Sequence, residues 1–424
     1  MDIRRVLRGT RCTAGETPTL PETRRPASPV SFVASDDMNR RSFMRNIGIA
    51  SAAATIGPAL NFKVIHAAPA EPAPELPQPE QQAIAKIARE FMERFKVPGM
   101  SAAIACAGKF VLRQGFGLAD VAAKTPVTPD HLFRIASVSK PFTSAAIFSL
   151  VEAGHLRLDD FVFGEKGRLG FDFAKAPPEP VKEITVRHLL THTCGGWPNK
   201  SADPMFLHPA MNHRELIEWT LANQPLTEKP GTKHAYSNFG YCILGRLLEK
   251  ITGLPYAQAA QREVLAKCGI NAMRIAGNTL AERAKMEVTY YANGLAALLG
   301  VQPYTMNVAR MDSHGGWIAN ASDLVKFAMR VDGFPNPPDI LRAETVKTMT
   351  TPPAAYEHYA CGWIVTKAPN WWHNGSLPGT TSLMVRTASG MCWAALANIR
   401  TEGIGPAMEQ MMWKIAKAVP EWRA

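Results

Sequence analysis

The sequence predicts an α+β protein in which one antiparallel sheet is flanked by helices and a mostly α lobe is inserted between its two halves. Three observations carry this expectation. Two short apolar runs, Met100–Cys106 and Phe110–Gln114, flank Ala107-Gly108-Lys109 and read as a β-hairpin. Four strand-like stretches return near the other end: Ala360–Val365, Trp371–Asn374, Thr381–Arg386 and Met391–Asn398, with Ala388-Ser389-Gly390 as the last turn. Between them, from about 160 to 300, Ile184–Leu190, Glu215–Ala222 and Gly240–Ile251 look helical and are separated by Pro-rich loops.

Taken in order, residues 1–37 read as an unstructured extension or a misassigned start, with Met38 as the alternative start. Residues 38–70 have the three parts of a twin-arginine-type export signal. Asn39-Arg40-Arg41-Ser42-Phe43 comes first, a weakly apolar Ala/Gly/Ile stretch runs from Ile47 to Leu60, and Ala68-Pro69-Ala70 offers a small-x-small cleavage site. A tail with chance arginines is the alternative. The apolar stretch is too short to span a bilayer, so the mature chain is expected in the periplasm or outside the cell, with no membrane span. Residues 71–80 are Pro/Glu/Ala-rich and read as a linker. One catalytic domain is expected over 81–424, with an α/β lobe from 81–160 and 300–424 and an α lobe from 160–300.

Within that domain, Ile84, Ile87, Phe91 and Phe95 recur at helical spacing and stop before Pro98-Gly99. A second helix begins close to Ser137, because Pro141 is tolerated only near a helix's first turn, and ends near Gly154. Ser322-Asp323 is expected to cap a helix through Val331, and a closing helix runs from about Pro406 to Ala418. The first and last helices are expected to cover one face of the sheet.

Composition narrows the function classes. The chain has 424 residues, 46% of them hydrophobic and 20% charged, which is ordinary for a globular protein with a sizeable core. Its net charge is +11, of which residues 1–70 hold +5 through ten Lys/Arg against five Asp/Glu. No Lys/Arg run lies behind the rest, so nucleic-acid binding is not expected. The seven cysteines form no C-x-x-C pair, and Cys242 and Cys392 sit in apolar runs, where a free thiol behaves as a small hydrophobe. Disulfide pairing stays open.

Chemistry concentrates in three places. Ser137 and Lys140 share one face of a helix start, so the amine can reach the hydroxyl. A serine needs a neighbouring base to become a nucleophile, and a desolvated lysine is one such base. S-x-x-K also arises by chance on surface helices, so the pair needs partners. Tyr236 follows Ser137 by 99 residues and stands two before Asn238; in an extended segment the two would project to one side. A lysine ammonium beside the phenol would lower its pKa from about 10 and make it a base. The asparagine amide can both donate to and accept from a substrate amide. The third place is Trp371-Trp372-His373-Asn374-Gly375-Ser376, where a glycine on a strand admits a substrate backbone and the next amide can face an oxyanion.

In this order and at this spacing, Ser137-Val138-Ser139-Lys140, Tyr236-Ser237-Asn238 and His373-Asn374-Gly375 resemble the serine penicillin-recognising superfamily. That family includes class C β-lactamases, D,D-peptidases, D-aminopeptidases and related esterases. Ile184–Thr193 and His314-Gly315-Gly316-Trp317 also match. The resemblance covers about 80–424. It implies a β-lactamase/transpeptidase-like fold and an acyl-enzyme mechanism needing no cofactor. In it Ser137 is the nucleophile, Lys140 and Tyr236 share the base role, Asn238 holds the substrate's amide side, and the backbone N–H groups of Ser137 and Ser376 form the oxyanion hole. The chain departs from the β-lactamases at His373, where they place lysine. A histidine is mostly neutral near pH 7 and anchors a carboxylate weakly, which favours a peptide, amide or ester substrate over a β-lactam.

His188 and His192 have metal-ligand spacing, but no glutamate completes H-E-x-x-H, so no metal site is expected. No serine has glycine at both −2 and +2, which excludes the α/β-hydrolase elbow. His314 and Trp372 are candidate pocket residues, with core packing as the alternative for each. A silent module binding peptidoglycan or a partner protein is the competing class, and the intact Ser/Lys/Tyr set argues against it. The oligomeric state is not legible.

Overall fold

The hairpin forms because its two-residue loop can take left-handed backbone. Ala107 and Gly108 have φ of 47° and 82°, the pattern of a type I′ turn, whose twist matches that of the strands. It joins β1 (Gly99–Cys106) to β2 (Lys109–Asp120), and a two-residue β3 (Thr125–Pro126) edges β2. The computed structural model describes residues 75–422 apart from 201, 293–299 and 301. The extension at 1–37 and the export-signal segment at 38–70 lie outside the described residues. The first helix already starts at Gln78, inside the expected linker, with Pro79 in its first turn.

A small second sheet was not foreseen. It pairs β4 (Phe133–Arg134) and β5 (Arg274–Ile275) with β6 (Trp317–Ala319). Strands of two or three residues are too short for alternation to be visible in sequence. β5 also puts a strand inside the lobe expected to be mostly helical.

The C-terminal stretches complete the main sheet: β7 (Ile364–Val365), β8 (Trp371–Leu377), β9 (Thr380–Arg386) and β10 (Met391–Ala397). The order is β3-β2-β1-β10-β9-β8-β7, with antiparallel neighbours throughout. The N-terminal hairpin and the C-terminal strands meet where β1 pairs with β10, Met100 opposite Ala397 and Cys106 opposite Met391. Ala360–Val365 yields only the short β7, because Gly362 turns at φ 82° and its Cα lies against Ser144 and Tyr241.

All eight residues of β1 are buried, so the sheet is covered on both faces. On one face Met100, Ile104, Leu383, Val385 and Trp393 meet Ile84 and Phe91 of the first helix and Met408 and Met412 of the closing helix, Ile404–Ala418. On the other, Ala103, Ala105, Met384 and Ala394 meet the helical lobe. That lobe includes Val186–Leu190, His213–Asn223 and Asn238–Thr252, close to the expected segments. At its centre the Ser139–Glu152 helix is buried from Ser139 to Leu150. The helix expected from Ser322 runs instead over Ala321–Ala328 with Asn320 as its cap, the Asn320 amide oxygen accepting from the Asp323 N–H at 2.7 Å. Asn caps as well as Ser does, and the Ser322 hydroxyl is taken by the Arg113 Nε at 2.9 Å. Among the described residues, no helix is long and apolar enough to cross a membrane.

Candidate active site

Ser137 lies in a single 3₁₀ turn, Ala136–Val138, that feeds the buried helix. The backbone entering it is held from the sheet. The Thr380 hydroxyl donates to the Arg134 carbonyl and the Ser382 hydroxyl to the Ile135 carbonyl, each at 2.7 Å. Ala136 is left at φ 46°, a conformation costly for a residue with a Cβ and one that tertiary bonds must hold in place. Gly375 of β8 runs against the same backbone. A Cβ there would stand 2.2 Å from the Ile135 carbonyl oxygen and 3.0 Å from the Ser137 nitrogen, so only glycine fits. β7 pairs only with Trp371 and Trp372, which leaves the β8 edge from His373 onward without a strand partner on that side. Ser376, exposed and opposite Thr381 of β9, follows Gly375 there.

The helix start brings Lys140 under Ser137. The Lys140 Nζ donates to the Asn238 Oδ1 at 2.8 Å and to the His314 carbonyl at 3.0 Å, and lies 3.2 Å from the Ser137 Oγ, whose hydroxyl proton a neutral amine can accept. Lys140 is fully buried, and desolvation drives its amine well below the usual lysine range, with Asp203 pulling the other way. Burial therefore moves the amine toward its neutral form, the form that can accept a proton.

Tyr236 and Asn238 arrive together, but not on one extended segment. Ser237 caps the Asn238–Thr252 helix through its hydroxyl, which accepts from the Gly240 N–H at 3.0 Å, so Asn238 is already helical. Both still reach the lysine, whose Nζ lies 4.7 Å from the centre of the Tyr236 ring. The expectation of a lysine-lowered tyrosine does not hold. Burial raises the Tyr236 phenol above the usual tyrosine range, against the opposing pull of a hydrogen bond with Ser137. The desolvation of a phenolate outweighs that single bond, and Lys140 does not offset it.

His373 is buried between the Tyr359 hydroxyl, 3.1 Å from its Nε2, and the Asn374 carbonyl, 2.6 Å from its Nδ1. Nδ1–H donates to the carbonyl, so Nε2 accepts from the tyrosine. Burial, with Lys140 adding to it, lowers its pKa to about 3, so it is neutral at physiological pH. His314 is buried beside the lysine, and its Nε2 has no partner among the described residues. Trp372, read as a candidate pocket residue, packs among the core residues beneath the two covering helices. Side chains alternate along β8, so Trp372 points away from the side of His373.

Three residues of the site were not foreseen as such. Asp203 is buried and accepts from the Asn238 Nδ2 at 2.8 Å. Asp-Pro reads in sequence as a helix start, and Asp203 does cap Pro204–Leu207, but nothing local marks it as a partner of Asn238. His192 lies beneath the Tyr236 ring at 4.1 Å between centroids and accepts from the Ser237 N–H at 3.1 Å. Tyr359 sits in a loop with no sequence signal. His188, four residues from His192, is used in a capping box with Thr185.

A serine, a buried lysine, a tyrosine and an open strand edge on this sheet-and-lobe scaffold define a β-lactamase/transpeptidase-like protein. The model of the Beta-lactamase family matches residues 84–416, and the chain belongs to that family. It is 27% identical over 312 residues to penicillin-binding protein 4* of Bacillus subtilis (strain 168), covering 66% of this chain and 63% of that protein. It is 34% identical over 206 residues to esterase EstB of Burkholderia gladioli, covering 46% of this chain and 51% of that one. The chain thus spans less than two thirds of the length of these relatives. Among solved structures, D-amino acid amidase from Ochrobactrum anthropi SV3 superposes with a TM-score of 0.67 at 22% identity, over 80% of this chain and 99% of that one. The octameric penicillin-binding protein homologue from Pyrococcus abyssi gives 0.63 at 26% identity, over 78% and 76%.

Proposed function

We propose that this chain is an exported serine hydrolase that acts through an acyl-enzyme on an amide or ester: a D-amino-acid peptide, an amide or a carboxylic ester. The observation that carries the reading is the Lys140 Nζ, 3.2 Å from the Ser137 Oγ in a site whose burial moves it toward its neutral form. Lys140 takes the Ser137 proton as Oγ attacks the carbonyl carbon. The oxyanion faces the backbone N–H groups of Ser137 and Ser376. The C–N or C–O bond then breaks, and the lysine proton passes to the leaving group, directly or through the Tyr236 hydroxyl. Water repeats the sequence on the acyl-enzyme, with Lys140 taking its proton, directly or through the Tyr236 hydroxyl. Asn238 orients the substrate's amide side. The likeness to esterase EstB supports an ester among the substrates.

The neutral His373 supports the preference against β-lactams, since a β-lactam carboxylate would meet no fixed positive charge there. A fluorophosphonate or fluorescent penicillin is expected to label the wild type and not Ser137→Ala. On p-nitrophenyl esters and D-amino-acid p-nitroanilides, that variant is expected to lose about 10⁴-fold or more in rate. Nitrocefin turnover as fast as ester turnover would reject the substrate preference, and labelling retained in Ser137→Ala would reject the nucleophile. Export rests on the pattern in 38–70. Replacing Arg40 and Arg41 by lysine is expected to leave the chain in the cytoplasm, and unchanged export would reject that reading.

A further inference from the structure

Asp203 is joined to the base by an unbroken hydrogen-bond chain. Its Oδ2 accepts from the Asn238 Nδ2 at 2.8 Å, and the Asn238 Oδ1 accepts from the Lys140 Nζ at 2.8 Å. An amide can bridge a carboxylate and an amine in only one orientation, NH₂ toward the acid and oxygen toward the base. The other carboxylate oxygen, Oδ1, accepts from the Met205 N–H at 2.9 Å and so is fastened to its own helix start. Asp203 is 1% exposed, which puts a carboxylate out of reach of water and of substrate.

The remaining groups around the amine differ in kind. Tyr236 and Tyr241 present rings at 4.7 and 5.6 Å, His314 presents its carbonyl, and Ser137 its hydroxyl. His192, His314 and His373 are each depressed, burial first and Lys140 second, and stay neutral. Among the described residues, Asp203 is thus the one carboxyl group that acts on the Lys140 amine; burial raises its own pKa, while the Asn238 and Met205 N–H groups and Lys140 hold it toward the charged form.

We propose that Asp203 is the positioning residue of this site: through Asn238 it locks the amide that receives Lys140 and supplies the one negative charge opposing the loss of the lysine's proton. It touches neither substrate nor reacting atoms. The inference rests on the acyl-transfer reading above, in which Lys140 is the base.

The sign of its effect follows. Removing the charge lets the lysine lose its proton at lower pH, so the acid limb of the rate profile moves down. Turning one acceptor oxygen into an NH₂ leaves either the Asn238 Nδ2 or the Met205 N–H facing a donor, so Asn238 is held less firmly and turnover falls even where the base is neutral. The test compares Asp203→Asn and Asp203→Glu with the wild type on a p-nitrophenyl ester across pH, with thermal unfolding as the fold control. In Asp203→Asn the acid limb is expected about one pH unit lower and kcat about 10- to 100-fold down, with KM changed less. Asp203→Glu keeps the charge and misplaces it, so the limb should stay while kcat falls. A folded Asp203→Asn with kcat and limb both as in wild type overturns the proposal. If that variant does not fold, Asp203→Glu decides alone, and wild-type kcat there overturns it. Failure of the acyl-transfer reading is seen separately, as persistent labelling in Ser137→Ala.

Discussion

Arg246 and Lys140 are both buried basic side chains on helices packed against each other, and their surroundings treat them in opposite ways. Burial works against the Arg246 charge, but Asp312 at 2.6 Å and Glu249 at 2.9 Å hold its pKa above the usual arginine range. Burial would likewise raise Asp312, yet Arg246 and His213 hold it well below the usual carboxylate range. Lys140, by contrast, contacts a hydroxyl, an amide oxygen and a carbonyl, all neutral. Its nearest carboxylate is one amide away. The two sites are joined, since Asp312 stands two residues before the His314 whose carbonyl receives Lys140. A direct carboxylate makes a buried cation a structural tie. A set of neutral acceptors leaves it able to give up its proton and act as a base.

Replacing each basic side chain with methionine breaks the comparison in opposite directions. Lys140→Met removes the base and is expected to lower kcat/KM by about 10²- to 10⁴-fold. Its stability should stay within about 1 kcal/mol of wild type, because the apolar chain escapes the desolvation of the amine that it replaces. Arg246→Met leaves Asp312 buried without its cation and should cost about 3–5 kcal/mol, while the folded fraction keeps near-wild-type turnover. Denaturant unfolding together with ester kinetics on both variants checks this. Equal effects on stability would dissolve the distinction.

A smaller effect separates the two sites by pH. The folded Lys140 amine has a depressed pKa, so between that value and the ordinary 10.5 the unfolded chain binds more protons, and stability rises with pH across this window. Asp312 is also depressed, and its contribution is present above the ordinary 3.8 and lost as pH falls below it. Lys140→Met should flatten the alkaline side of the stability profile and Asp312→Asn the acid side. Thermal unfolding across pH reads both, and identical alkaline slopes in wild type and Lys140→Met would contradict the buried neutral amine.

The sequence by itself determined the architecture and three corners of the site. The hairpin, the C-terminal strands, both covering helices and the helical insert are local patterns of apolar spacing and turn residues, and these survive in one dimension. Ser137 with Lys140, Tyr236 with Asn238, and His373 with Gly375 are legible because each pair lies within three residues. The tertiary structure decided the rest. Trp372 and His373 are neighbours in sequence, yet β8 sends one beneath the covering helices and the other into the site. Asp203 reaches Asn238 across 35 positions, and Tyr359 reaches His373 only where a loop folds back on the strand. Above all, the protonation preference of Lys140 is a property of no motif. Desolvation depends on everything packed around a group, and that packing comes from stretches far apart in the chain.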